Sequence, residues 1–468
     1  MADFSVILQD PAIRPLVQEN ILERVFHDGL FPALLFREDA EPIQYPGNIG
    51  DTPQFTGVGL MEVDLTPVIP GQDVTPSDYP KEQWGAVIQQ YGKAAPDTHM
   101  PTTAVALADL FLRNSHQLGL HAGQTLNRLV RDRMYNAGLA GNTVTDGAAG
   151  PVTTLRVKRL NGFTSARRPD LPAGSPVRFE PVSGGNPLPV LIEIAGVMTP
   201  RNVTAFSPDN PGDLLGPGTI SVDVAVTVID RAAVQAVDRT QIIRVGGGNK
   251  IDVINNTSLF RLVDIRSAVS RLRAQNIPIH PDRRFHCHID PFSQAQIFSD
   301  PEFNRLLTSL PDYYMYKDFA LGELLNVVFF TNTESPLPET VVGGKTASFS
   351  TKDPFGAELW SNGNASTGVK VHRPIFTGHG GIKEYWLDQQ SLLTDAGITG
   401  KLGNFSVVNN GIEVMTDRIK YILRSPLDRL QQLVSAAWSF IGDWPVRTDA
   451  TTGDQARYKR FVCVEHGE

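Results

Sequence analysis

Cysteine is nearly absent. Cys287 and Cys463 are the only two in 468 residues, too few for a disulfide framework, so no oxidising compartment is implied. Positive charge is also short: 42 lysines and arginines face 50 aspartates and glutamates, a net −8. That balance argues against a chain whose main task is to grip nucleic acid, although a local basic face stays open. No uninterrupted apolar run approaches the ~20 residues of a membrane span. The opening Met-Ala-Asp-Phe-Ser has neither a positive n-region nor an apolar h-region, so no secretory signal is expected. The expectation is a soluble chain made in the cytoplasm, with no membrane partner.

Catalytic signatures are missing as well. There is no Gly-x-Ser-x-Gly elbow and no His-Glu-x-x-His zinc motif. His286 and His288 flank Cys287 in an extended run and share a face, so they could chelate a metal, yet no third or fourth ligand stands at a recognisable spacing. Two ordinary strand histidines are the plainer reading. Gly246-Gly247-Gly248-Asn249-Lys250 lacks the order and the strand–helix context of a phosphate-binding loop and reads as a flexible junction. His372 and His379 have no nucleophile or carboxylate partner at an informative distance. Two basic clusters, Arg128/Arg131/Arg133 and Arg156/Lys158/Arg159, read as solvated faces or intersubunit ion pairs. No enzyme and no cofactor is expected.

What is present is an extended organisation. Residues 1–43 mix short apolar stretches (Ile21, Leu22, Val25, Phe26; Leu34, Leu35, Phe36) with prolines, as an arm with one short helix would. From 44 to 97 the pattern predicts a long β-hairpin. Met61, Val63 and Leu65 alternate on one leg, and Trp84, Ala86 and Ile88 on the other. Pro70, Gly71, Pro76 and Pro80 make a stiff tip between them. A two-stranded ribbon is marginal in water, so this one must lie on something, and a second copy of the chain is the natural candidate.

A helical stretch follows from Thr98 or Thr102 to about Gly138, with Gly119 and Gly123 predicting a kink or break in its middle. From Thr143 short alternating strands with Gly/Pro punctuation predict a small all-β sandwich or barrel. Ile220, Val222, Val224, Val226 and Val228 form its cleanest run. Helices and strands then mix without a repeating βαβ unit, so the class is α+β. Leu427 to Trp444 is helical by period and extended by propensity, and both readings stay open.

Asp97-Thr98-His99-Met100-Pro101-Thr102-Thr103, then Leu110-Phe111-Leu112-Arg113-Asn114 and Ala122-Gly123-Gln124-Thr125-Leu126-Asn127-Arg128, resemble the major capsid proteins of tailed bacteriophages. The order of parts is similar too. The resemblance implies an HK97-like capsid fold: N-terminal arm 1–43, extension loop 44–97, and spine helix of the peripheral domain 98–145. An inserted β domain follows at 146–247, then an axial domain with peripheral elements at 248–425 and a peripheral return at 426–468. It implies a structural, non-enzymatic subunit in the virion. Such a subunit assembles into the hexamers and pentamers of an icosahedral shell around double-stranded DNA held without sequence specificity.

A separate scaffolding protein and a portal protein are implied partners, with a decoration protein as an optional one. Expected intersubunit contacts are Phe26, Leu34 and Phe36 of the arm and Phe55, Met61, Val63, Trp84 and Tyr91 of the loop. The rivals are an encapsulin-type compartment, a multidomain hydrolase with a β binding module, and a phage tail or decoration protein.

Overall fold

The computed structural model describes residues 21–30, 35–44, 53–58, 81–95, 98–99, 107–168, 177–237, 242–308, 322–332, 341–342, 345–346, 371–387, 400–402, 405–408, 411–424, 433–446 and 460–467, with single positions Leu65, Pro67, Gly71, Asp73, Tyr79, Ser175 and Val369. The chain forms two compact units. The first takes Met1–Pro53, Gly85–Arg131 and Lys383–Pro445; the second takes Gln54–Trp84, Asp132–Ile382 and Val446–Glu468.

The first unit is built around one long strand, Leu433–Asp443. On one edge it pairs antiparallel with Ile419–Arg424 and, further along, with Lys383–Trp386; on the other it pairs with Gln89–Ala94. Glu41–Gln44, Gly411–Thr416, Phe405–Val408 and Gly400–Leu402 complete the sheet, and Thr98–His99 pairs with Leu433 and Val434. The ambiguous 427–444 segment is therefore a strand in its described part. Trp438, Phe440 and Trp444 are buried, and aromatic packing on a pleated surface outweighs a helical period in the leucines. Thr98 lies in a strand and does not cap the helix; Thr102 falls outside the described residues.

Two helices accompany this sheet. α1 is Ile21–Leu30 and α2 is Leu107–Gly138. The expected break in α2 does not occur. Gly119 is there for a different reason: an added Cβ would stand 2.2 Å from the Phe26 carbonyl oxygen, and the reciprocal position Gly29 would meet the His116 carbonyl at 2.6 Å. Two glycines let the backbones of α1 and α2 touch, as small residues do wherever chains approach closely. Leu118, Ala122, Leu126 and Val130 form the buried stripe of α2 within this unit.

In the second unit, six antiparallel strands run in the order Asn142–Val144, Ala233–Ala236, Leu188–Ile194, Val197–Pro208, Gly218–Val228, Ala149–Val157. The two outer strands meet: Thr145 bridges Val157, the Lys158 amide donates to the Val144 carbonyl at 3.1 Å, and Asp146 donates to Arg156 at 2.9 Å. These bonds close the sheet into a barrel. Leu155, Val157, Val190, Ile192, Val203, Ile220, Val222, Val226 and Val228 fill it. Val224, expected inside, is exposed instead, because the strand bulges against its neighbour between Ser221 and Val226.

A second small sheet has the order Gln54–Val58, Lys81–Gly85, Val177–Pro181, Ser165–Arg167. The described hairpin legs are Gln54–Val58 and Lys81–Gly85; of the predicted leg at 61–65, only Leu65 is among the described residues. The alternation of the return segment holds, with Trp84 and Ala86 buried. The hairpin base also finds own-chain support: Glu82 and Gln83 pair in parallel with Val177 and Arg178.

A third, seven-stranded sheet of this unit is mixed. Its path is Ile242–Arg244, Phe461–Gly467, Ile375–Thr377, Phe285–Ile289, Val327–Thr331, Glu323–Leu324, with Val371–His372 also on Phe461–Gly467. The expected return at 426–468 is therefore divided, its last strand belonging to this sheet. Helices α3 (Leu262–Ala274), α4 (Pro291–Phe298) and α5 (Pro301–Thr308) belong here, and Phe260, Ile265, Leu272, Phe285, Ile297, Phe376 and Val462 share one core. Asp290 caps α4 by accepting from the amides of Phe292 and Ser293, with Pro291 in the first turn. Gly246, Gly247 and Gly248 all have positive φ, the turn that triple glycine permits. None of the described helices is long and apolar enough to cross a membrane.

Candidate assembly elements and buried polar clusters

The arm residues fold onto the chain's own first unit. Phe26 and Phe36 are fully buried there; the Phe26 ring lies 4.9 Å from that of Tyr421, and the Phe36 amide donates to Asn127 Oδ1 at 2.9 Å. Their expected role as contacts for a sibling subunit is corrected accordingly, because α2 and the sheet already cover both side chains. Leu34, Met61 and Val63 lie outside the described residues.

Arg37, just beyond Phe36, fastens the arm. Its guanidinium bonds Glu384 at 2.6 and 3.0 Å, Asp417 Oδ2 at 2.7 Å and the Asp417 carbonyl at 2.9 Å. Asp417 and Arg418 form a two-residue turn with positive φ at both positions, a conformation that favours glycine. Arg37 thus braces a strained hairpin turn. Burial works against the Arg37 charge, but Glu384 and Asp417 outweigh it and raise the pKa.

Among the loop residues, Phe55 and Trp84 stack at 5.9 Å in the second unit. Tyr91, in the first unit, is half-buried, 5.8 Å from the Trp444 ring, with its hydroxyl on Gln89. Sequence reasoning missed the apolar side chains that face solvent: Val58 (58% exposed), Val87 (57%) and Tyr79 (38%), beside Leu65 at 88%. Val58 could have been found by continuing the alternation upstream through Gln54–Val58.

The basic clusters are internal in part. Arg131 and Arg159 are buried, the latter donating to Asn136 Oδ1, while Arg156 pairs with Asp146 and Asp209 at the surface. His286 and His288 do share a face, but the Phe330 ring packs against both, at 5.0 and 5.4 Å. His286 turns to Asp282 at 3.0 Å and stacks on His280 at 3.7 Å. Both lie in the strand Phe285–Ile289 with an aromatic neighbour.

His372 belongs to a buried cluster that the sequence did not reveal. Asp290 Oδ2 lies 2.9 Å from His372 Nδ1; the Ser293 hydroxyl contacts Asp290 Oδ1 and lies 2.7 Å from His466 Nε2. Burial tends to raise the Asp290 carboxyl, but His372 and Ser293 outweigh it and hold it at about 2. Burial, with His372 adding to it, pushes His466 down to about 3. Serine, histidine and aspartate meet here, yet Asp290 orients Ser293 and His372, not His466. All four groups are buried. The cluster ties α4 to the strands Phe461–Gly467 and Val371–His372. On the first of these strands, Glu465 accepts from Arg244 and Arg373, both at 2.8 Å. Burial opposes its charge, but the two guanidinia hold its pKa down.

No protein-family model and no curated protein matches the chain. Solved structures do. The capsid structure of the cyanophage P-SCSP1u shares 11% identity at a TM-score of 0.47, over 93% of this chain and 88% of that one. The capsid of Ralstonia phage GP4 shares 12% at 0.46, over 93% and 91%. The capsid asymmetric unit of cyanophage Pam1 shares 11% at 0.46, over 95% and 93%. Along nearly all of its length, this chain is similar to phage capsid chains.

Proposed function

We propose that this chain is the major shell subunit of a tailed double-stranded DNA bacteriophage, assembling as hexamers and pentamers into an icosahedral container for the genome. The observation that carries the reading is a hairpin with solvent-facing apolar side chains, followed by a 32-residue helix that carries the capsid-like sequence at 110–114 and 122–128. Leu65, Val58, Tyr79 and Val87 are surface for a sibling to cover, each worth on the order of 1.5–3 kcal/mol for full burial. Phe55 and Trp84 stiffen the loop base, and Tyr91 steadies the next strand.

In this reading the barrel is an insertion between the spine helix and the α/β portion. Assembly takes place in the host cytoplasm on a separate scaffolding protein, with a portal at one vertex and a decoration protein as an optional addition. Replacing residues 70–80 by a short Gly-Ser turn tests it. The variant is expected to stay soluble and folded while giving few closed particles by negative-stain microscopy. Normal shells from that variant would remove the loop from the assembly mechanism. Particles filled with a cargo protein instead of DNA would point to an encapsulin-type compartment.

A further inference from the structure

We infer that the outward face of α3 is a contact surface for the sugar-phosphate backbone of duplex DNA, an inference that rests on the shell reading above. α3 buries Leu262, Ile265, Ala268, Val269 and Leu272 in the core. Its other side presents Val263, Arg266, Ser270 and Arg273, all exposed, at the spacings of one helical stripe. The helix contains a single carboxylate, Asp264, which is buried and accepts from the Arg261 amide at 2.9 Å. No acid of the helix itself therefore neutralises the stripe. From the neighbouring α5, Glu302 approaches Arg266 at 3.6 Å, with both side chains about half exposed. Such a pair is weak and exchangeable. Arg273 has no ion-pair partner among the described residues. At the flank, Arg271 donates to the Ile242 carbonyl, and burial lowers its basicity without a carboxylate to restore it.

The stripe thus carries two exposed guanidinia, one weakly paired and one with no ion-pair partner among the described residues, in a chain of net charge −8. Arginine forks suit phosphate oxygens, and the free Ser270 hydroxyl adds a donor. Arg266 and Arg273 are seven residues apart, about 10.5 Å along the axis. That is of the order of a DNA groove width, ~6 Å for the minor and ~12 Å for the major. Two arginines so placed reach phosphates on either side of a groove. The stripe offers no aromatic anchor and no carboxylate or amide to read a base edge, so the contact is indifferent to sequence.

The test uses the full chain, a labelled random-sequence duplex, and fluorescence anisotropy between about 50 and 200 mM salt. Replacing both Arg266→Gln and Arg273→Gln should weaken binding equally on unrelated sequences. It should also reduce the slope of log affinity against log salt by about 0.9 per lost phosphate contact, near 2 in all. Arg201→Gln on the barrel should leave the slope alone. An unchanged slope in the double variant overturns the inference. So does a polyglutamate peptide that competes as well as DNA of equal charge, because the partner would then be an acidic protein. Particle formation, read separately by microscopy, keeps the two readings apart. A double variant that still closes shells but holds DNA less tightly supports both, whereas wild-type chain that binds DNA and never closes shells counts against the shell alone.

Discussion

Gly119→Ala sets two physical effects of opposite sign against each other within one helix. By propensity alone, alanine in the interior of α2 gains about 1 kcal/mol over glycine. The structure opposes that gain. The new Cβ would lie 2.2 Å from the Phe26 carbonyl oxygen and 3.1 Å from its carbon, where contacts under 3.0 Å essentially never occur. Backbone cannot swing aside like the end of a side chain, so α1 must retreat by roughly an ångström, at an overpacking cost of about 1–3 kcal/mol. Phe26, fully buried beside Tyr421, then gives up part of the ~1.5–3 kcal/mol its burial contributes.

The close approach wins, with a net loss of about 2 kcal/mol. In a domain of some 150–250 residues that lowers the melting temperature by roughly 4–8 °C. Gly138→Ala is the matched control in the same helix. There the nearest atom is the flexible Ile375 Cδ1 at 3.3 Å, so the propensity gain should largely survive. Thermal melts of both variants, with hydrogen exchange of the 21–30 amides, make the comparison. A Gly119→Ala protein that melts at or above wild type with unchanged exchange in α1 would refute the reasoning.

Two further predictions concern buried charge. Arg37→Met leaves Glu384, fully buried, with Arg418 at 3.3 Å as its one remaining cation among the described residues, and should cost about 3–5 kcal/mol; adding Glu384→Leu should recover part of that in the melting temperature. Acid should weaken the second unit. His466 is held neutral, with its pKa pushed below the ordinary 6.5 to about 3, so its contribution is complete above pH 6.5 and declines by roughly 1.4 kcal/mol per pH unit as pH falls toward 3. The depressed Asp290 carboxyl adds a later loss, from about 3.8 down to 2. Urea midpoints at pH 7 and 5 should differ in the wild type and converge in His466→Gln. Equal midpoints in the wild type would show that His466 does not titrate as its burial demands.

Much of the local structure was legible in the sequence because local rules govern it. The alternating valine-rich run at 220–228 is a strand of the β barrel, as its period of two requires. The stretches at 97–128 resemble tailed-phage capsid proteins, a likeness that no composition argument could reach. Other features depend on what the chain meets far away in sequence. Gly119 looked like a weak point and is a contact point, because Phe26 lies some ninety residues upstream. Leu433–Asp443 became a strand because hydrogen-bonding partners on both edges and buried tryptophans reward extension. Phe26 and Phe36 looked like anchors for a sibling, yet the chain's own fold covers them. The cluster of Asp290, Ser293, His372 and His466 joins residues up to 176 positions apart, a proximity that no spacing encodes. Periodicity, caps and turn residues thus determined which segments become which elements. Only tertiary packing decided which apolar faces stay uncovered, since exposure belongs to the folded surface and not to any single stretch of chain.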